Sequence, residues 1–314
     1  MHEASGIYEP MLTHGWIGPR PDDYRLALKV GNPVPKAWCN EIVNEDLNFG
    51  VRVTAQRRGF VVYDFADWQP GVANSKRGIR TLSEASADSA PALIHRLRVL
   101  NAHQILFHAA TLFTTGETLP ATRIASRDLY KWDLYDGEEE YWYSSAGALL
   151  DTIVPADRLR TDSVPIAAFK LSLEWLDLAA RADSLIEFDL LSQAHVAVST
   201  HDRASAVVAA WTICELSLNH LNNDLPQPLP PTGRHTTPNA KRLIDHLERA
   251  GRLDPDVKRR LKAACDERDT WLHAGHEPTG DAALEALDLA IVMLRLRQIV
   301  ADLAARPTSQ LVIL

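Results

Sequence analysis

From Val164 onward apolar residues recur at helical spacing, and one segment breaks the pattern. Pro226-Gln227-Pro228-Leu229-Pro230-Pro231-Thr232-Gly233 cannot lie inside a helix or a sheet, because proline lacks the amide donor and its ring clashes with the preceding turn. Before the break, the periodicity predicts helices over 165–181, 184–199 and 203–222, the second carrying Leu185, Phe188, Leu191 and Ala194 on one side. After it, Pro238 or Asn239 starts a fourth helix that ends at Gly251. Asp254-Pro255, an N-cap followed by a proline at the first helical position, opens a fifth over 255–274, and Thr279 opens a last one running to about 304. Short polar connections between helices of this length favour antiparallel neighbours, so the C-terminal half is expected to be an antiparallel helical bundle.

The N-terminal half reads differently. Residues 1–48 carry Pro, Gly and Trp without a sustained period and are expected to be irregular, with one short helix. Val51 and Val53, then Val61 and Val62, flank Arg57-Arg58-Gly59 and predict a β-hairpin between Phe49 and Phe65. Residues 66–85 read as loop, and a helix capped by Ser86 or Ser89 is expected to run to about Phe113. The acid-, Trp- and Tyr-rich stretch 121–150 is assigned to one or two helices, its segment Asp136 to Tyr143 to a solvated loop. The fold class is therefore mainly α, an N-terminal α+β region over 1–160 joined to a helical bundle over 161–314, with the boundary near 155–165.

Composition narrows the function. A net charge of -8 argues against general coating of nucleic acid, although it leaves room for a small basic cleft. Cys39, Cys214 and Cys265 are far apart and odd in number, as expected of reduced thiols in a cytoplasmic protein. The start lacks both a basic and an apolar signal-peptide region, and no run is long and apolar enough for a bilayer, so no membrane partner is expected. There is no Walker loop, no GxGxxG after a strand, no HExxH, no GxSxG and no zinc-finger spacing, so neither a metal nor a nucleotide cofactor is expected.

The chemistry concentrates in Glu267-Arg268-Asp269-Thr270-Trp271-Leu272-His273-Ala274-Gly275-His276. His273 lies four residues after Asp269, on the same helix face, where a carboxylate can fix the tautomer of an imidazole. Arg268 adds a permanent cation suited to a phosphate. His276 stands near the helix end, and Arg259, Arg260 and Lys262, with Lys258, Arg242, Arg249 and Arg252, offer a track for RNA phosphates. The same residues also suit a helix-end salt bridge and a solvated basic face. A second Arg-to-His pair at the same spacing, Arg98 and His103, sits inside a continuing helix and reads as structural. Glu215, in an apolar run, reads as a paired acid at the bundle edge or as a site residue.

The phrase from Arg242 to Leu296 resembles the end of a HEPN domain: a helix holding Arg, a polar residue, several positions and then His, followed by one further helix. The stretch DSLIEFDLLSQAHVAVSTHDRASAVVAAWTICELSLNHL resembles that family's first helical pair, so the likeness spans about residues 164–305. Asp269 stands where the family most often has Asn. The resemblance implies a HEPN-like fold and metal-independent RNA cleavage by a homodimer, in which the 2′-hydroxyl attacks and leaves a 2′,3′-cyclic phosphate and a 5′-hydroxyl. Carried onto this chain, His273 is the general base or acid, Arg268 stabilises the transition state, and Asp269 orients His273. It also implies a role as a toxin or anti-phage defence effector, with a regulatory protein or antitoxin as a further partner. Members without catalysis serve as dimerisation or ligand- and RNA-binding modules, and that is the rival expectation.

Overall fold

The computed structural model describes residues 7–10, 16–19, 41–57, 59, 61–65, 90–117, 119, 123–124, 129–135, 138–142, 163–231 and 238–297. Among them the protein is mainly helical, with seven α-helices and one six-stranded antiparallel sheet. The chain forms two compact units, Met1–Arg181 and Ala182–Leu314. No helix among the described residues is long and apolar enough to cross a membrane.

In the first unit, β1 (Ile7–Pro10), β3 (Glu41–Asp46), β4 (Arg52–Gln56), β5 (Val61–Asp64), β6 (Leu129–Tyr135) and β7 (Glu138–Trp142) form the sheet in the order β3-β4-β5-β1-β6-β7. The short strands β2 (Trp16–Ile17) and β8 (Ser163–Val164) pair in parallel. The expected hairpin is present: β4 and β5 run antiparallel, with Arg52 opposite Asp64 and Ala55 opposite Val61. Val53, Ala55, Val61 and Tyr63 are fully buried, as the period-2 alternation requires. Two expectations are corrected. Part of 1–48, expected to be irregular with a helix, forms β1, β2 and β3. Part of 121–150, expected to be helical, forms the β6–β7 hairpin instead. Tyr and Trp fit a pleated surface better than a helix, and Asp-Gly, the dipeptide between Tyr135 and Glu138, favours a two-residue hairpin connection. The loop expected over 66–85 and the caps at Ser86 and Ser89 lie outside the described residues.

Helices α1 (Ala90–Thr115) and α2 (Ile166–Arg181) pack on each other, and α2 also touches β3. Helix α2 thus belongs with the sheet unit, which runs to Arg181. The reason is its inward face: Phe169 packs edge-on against Phe107 and His103 of α1, and Asp177 accepts from the backbone and side chain of Asn48 at 2.8 and 2.6 Å.

His103 ties this unit together. Ser172 donates its only proton to the Phe169 carbonyl at 2.6 Å, so its oxygen accepts from Nε2 of His103 at 2.8 Å. Nδ1 is left to accept from the Tyr63 hydroxyl. The chain of donors is closed, and all three side chains are fully buried. Arg98 points elsewhere, toward His95 at 3.5 Å. The pair Arg98 and His103 is structural, as expected.

The second unit contains α3 (Leu185–Ser199), α4 (Arg203–Asn223), α5 (Ala240–Arg249), α6 (Pro255–Ala274) and α7 (Gly280–Leu296). All begin within one or two residues of their expected starts, and the last helix is described only to Leu296. Local chemistry explains the precision. Asp202, Asn239, Asp254 and Thr279 each accept a hydrogen bond from a backbone amide of the first turn, an interaction that stabilises a helix start by about 1 kcal/mol. Helix α4 packs against all four others, burying Trp211, Ile213 and Leu218 in a core shared with Leu289, Ala290 and Met293 of α7. Buried Glu187, at the start of α3, pairs with buried Arg297 just past α7.

Burial pushes the His103 imidazole down to about 3, far below its ordinary value. The group is therefore neutral when folded and takes up a proton on unfolding below about pH 6.5, so its contribution is present above that pH and is lost as pH falls toward 3. We expect the stability of the first unit to fall by about 2 kcal/mol between pH 7 and pH 5. Denaturant titrations followed by a probe in that unit measure this, and His103→Gln is expected to flatten the slope.

Candidate functional site

Helix α6 carries every residue of the expected catalytic set. It starts at the Asp254 cap with Pro255 in its first turn and stops at Gly275, whose φ of 69° places it in the left-handed region. This termination leaves His273 in the last helical turn, exposed to solvent. His276 follows in the turn and is also exposed. Neither imidazole makes a hydrogen bond among the described residues. Leu272, beside His273, is 53% exposed, and Leu284, near the start of α7, is 50% exposed.

Arg268 points the other way, across the bundle to α4. Its Nη2 donates to Glu215 Oε1 at 2.9 Å, its Nη1 lies 3.1 Å from Asp269 Oδ1, and its guanidinium carbon sits 5.6 Å from the centre of the Trp211 ring. The side chain is 22% exposed, and its Nε is buried without a hydrogen-bond partner. Trp211 and Glu215 are four residues apart, which sets ring and carboxylate on one face of α4. Glu215 is thus both a paired acid at the bundle edge and a neighbour of the expected site. Trp211 carried no signal beyond its apolar surroundings.

The expected link between Asp269 and His273 is not made. Sharing a helix face is necessary for that contact but not sufficient, because stronger partners compete for the carboxylate. Asp269 is occupied by Arg268, lies 3.9 Å from Lys241 Nζ, and receives the Cys265 thiol at 3.9 Å. Burial pushes the Cys265 thiol up, and the Asp269 charge adds to this.

Of the expected phosphate track, Lys258, Arg259, Arg260 and Lys262 pair with acids, whereas Arg242, Arg249 and Arg252 are exposed and make no ion pair among the described residues. Lys241 pairs with Asp266, Lys262 with Asp245, and Lys258 with Glu248 and Asp245, a descending register that shows α5 and α6 running antiparallel. Hydrogen bonding from Lys262 holds the Asp245 carboxyl below its ordinary range, and the bond to Glu248 raises Lys258. Arg259 pairs with Asp256 on its own helix at 2.5 Å. Arg260 is only 15% exposed and clamps α6 to α7 through Glu285 at 2.5 Å and through Asp288. Opposite charges on neighbouring helices attract each other before they attract solvent ions, so a basic run in sequence becomes a neutral seam in the fold. Among the described residues, no group of three or more His, Cys, Asp or Glu side chains is placed to hold a metal ion.

No protein-family model, curated protein or solved structure matches this chain.

The contrast between Arg259 and Arg260 is testable. Arg260→Ala removes a largely enclosed cation from two carboxylates and is expected to destabilise the second unit by about 1–2 kcal/mol. Arg259→Ala breaks a pair that solvent already screens, so the melting temperature is expected to stay within about 1 °C of wild type. Calorimetry of both variants checks the ranking.

Proposed function

We propose that this chain is a metal-independent endoribonuclease of HEPN type that acts as a homodimer. The observation that carries the reading is the division of labour at the end of α6: an unpaired, exposed imidazole at His273, and a guanidinium at Arg268 fixed by Glu215, Asp269 and Trp211. In this reading His273 takes the proton of a ribose 2′-hydroxyl as its oxygen bonds to phosphorus. The P–O5′ bond breaks, and the leaving oxygen takes a proton from the same residue of a second copy. Arg268 stabilises the charge on the phosphorane-like transition state. Asp269 anchors Arg268 instead of orienting His273, and His276 donates a hydrogen bond to the phosphate at the rim. Leu272 and Leu284, exposed beside the turn, suit a face covered by the second copy. A toxin or anti-phage effector is the biological role that accompanies this reading.

A second reading has an observation of its own. Both terminal nitrogens of Arg268 are committed to carboxylates of the same chain, as in a structural clamp, which suits a non-catalytic dimerisation or RNA-binding module.

Incubation of the wild type, His273→Ala and Arg268→Lys with total RNA and excess chelator separates the two. Cleavage by the wild type that leaves cyclic phosphate ends, with loss of about 100-fold or more in the His273 variant, is the expected result. A folded, dimeric wild type that leaves RNA intact favours the module. Because the basic residues of α6 are internally paired, RNA affinity is also expected to fall shallowly with salt, with a logarithmic slope of about −1 to −2. A slope several times steeper would point to a phosphate track elsewhere.

A further inference from the structure

We propose that Glu215 is a positioning residue that holds Arg268 in the free protein and surrenders part of it to a phosphodiester; the assignment rests on the ribonuclease reading above. An arginine offers two bidentate edges: the two terminal nitrogens together, and Nε with the neighbouring Nη2. Asp269 takes Nη1 and Glu215 takes Nη2. Nε is the one guanidinium nitrogen without a partner, and it is buried. The Nε–Nη2 edge is thus half occupied, and the occupant is Glu215. A phosphate that displaces the Glu215 carboxylate would take Nη2 with one oxygen and, with the edge opened by that displacement, pair Nε with another. The Trp211 ring beneath the guanidinium keeps its plane fixed during the exchange.

The charge around the site makes this competition decisive. Arg268 and Lys241 face Glu215, Asp269 and Asp266, all linked through ion pairs of 3.9 Å or less. Three carboxylates against two cations leave the cluster negative, which opposes an incoming phosphate. Glu215 is the carboxylate that is both 38% exposed and on a different helix from Arg268, so it can move aside without disturbing α6. The side chain therefore has two separable effects: its charge weakens substrate binding, and its oxygen keeps the guanidinium in place.

Glutamine and alanine separate these effects. Glu215→Gln keeps an oxygen that accepts from Nη2 and removes the charge; Glu215→Ala removes both. We expect Glu215→Gln to bind a 2′-O-methyl RNA oligonucleotide about three- to fivefold more tightly than wild type, and the gain to vanish in an Arg268→Ala background. On cleavable RNA with chelator present, Glu215→Gln is expected to lower KM with kcat near wild type, whereas Glu215→Ala, which leaves the guanidinium unheld before the phosphodiester docks, raises KM about tenfold above that of Glu215→Gln. Melting temperatures of each variant show that the fold is kept. If the wild type cleaves but Glu215→Gln changes neither binding nor KM, the exchange is wrong and the ribonuclease reading stands. Where the wild type fails to cleave yet Glu215→Gln tightens binding in an Arg268-dependent way, the ribonuclease reading falls and the exchange stands. If Glu215→Ala matches Glu215→Gln in both kcat and KM, the positioning role is refuted.

Discussion

The guanidinium of Arg268 is drawn out of water by the packing of α6 on α4, and that desolvation needs compensation from within the bundle. Two carboxylates and an indole ring supply it: Glu215 and Trp211 from α4, and Asp269 from α6 itself. The arrangement fixes the rotation of the last turns of α6 about their axis. With Arg268 turned inward and Gly275 ending the helix, His273 is left in solvent at the tip. The position of the imidazole is thus a consequence of where its neighbour's charge is neutralised.

The same principle runs through the second unit. Lys241, Lys258, Arg260 and Lys262 are all consumed by acids on α5, α6 and α7. Exposed pairs of this kind add little stability one by one, but together they align the helices and exclude wrong registers, since a shift of one turn would set like charges opposite each other. They also neutralise much of the basic charge of α6, while Arg242, Arg249 and Arg252 stay exposed.

Helix limits in the second unit were legible because caps are local chemistry. Asn239, Asp254 and Thr279 act on amides two or three residues away, so their effect is readable from a short window. The β4–β5 hairpin was legible for the same reason. Strands β3, β6 and β7 were not: Glu41, Asn44, Glu45 and Asp46 give β3 little strand propensity, β6 pairs with the distant β1, and the aromatic residues of β6 and β7 suit more than one element. The site divided along the same line. The exposure of His273 follows from the nearby Gly275, whereas Arg268 meets an acid 53 positions earlier, a pairing no spacing rule contains. The loss of Arg260 to Glu285 and Asp288 is likewise tertiary, whereas Asp269 is taken by its own chain neighbour Arg268. Helix α2 joined the sheet unit because Phe169 and Asp177 found partners there, and amphipathicity alone does not say which core an apolar face joins.

The chain contains its own control for how little spacing decides. Arg98 and His103 stand at the same separation as Arg268 and His273, yet the outcomes are opposite. His103 lies mid-helix, and α1 continues for three more turns to Thr115. Its ring is enclosed, with Tyr63 at one nitrogen and Ser172 at the other, so it has no lone pair or proton to offer a substrate. His273 is followed one residue later by the end of α6; no next turn covers it, and both nitrogens stay open. The difference lies in helix termination. An arginine and a histidine five positions apart become a candidate for chemistry only where a left-handed glycine stops the helix soon enough to leave the imidazole in water while the guanidinium is still inside the bundle.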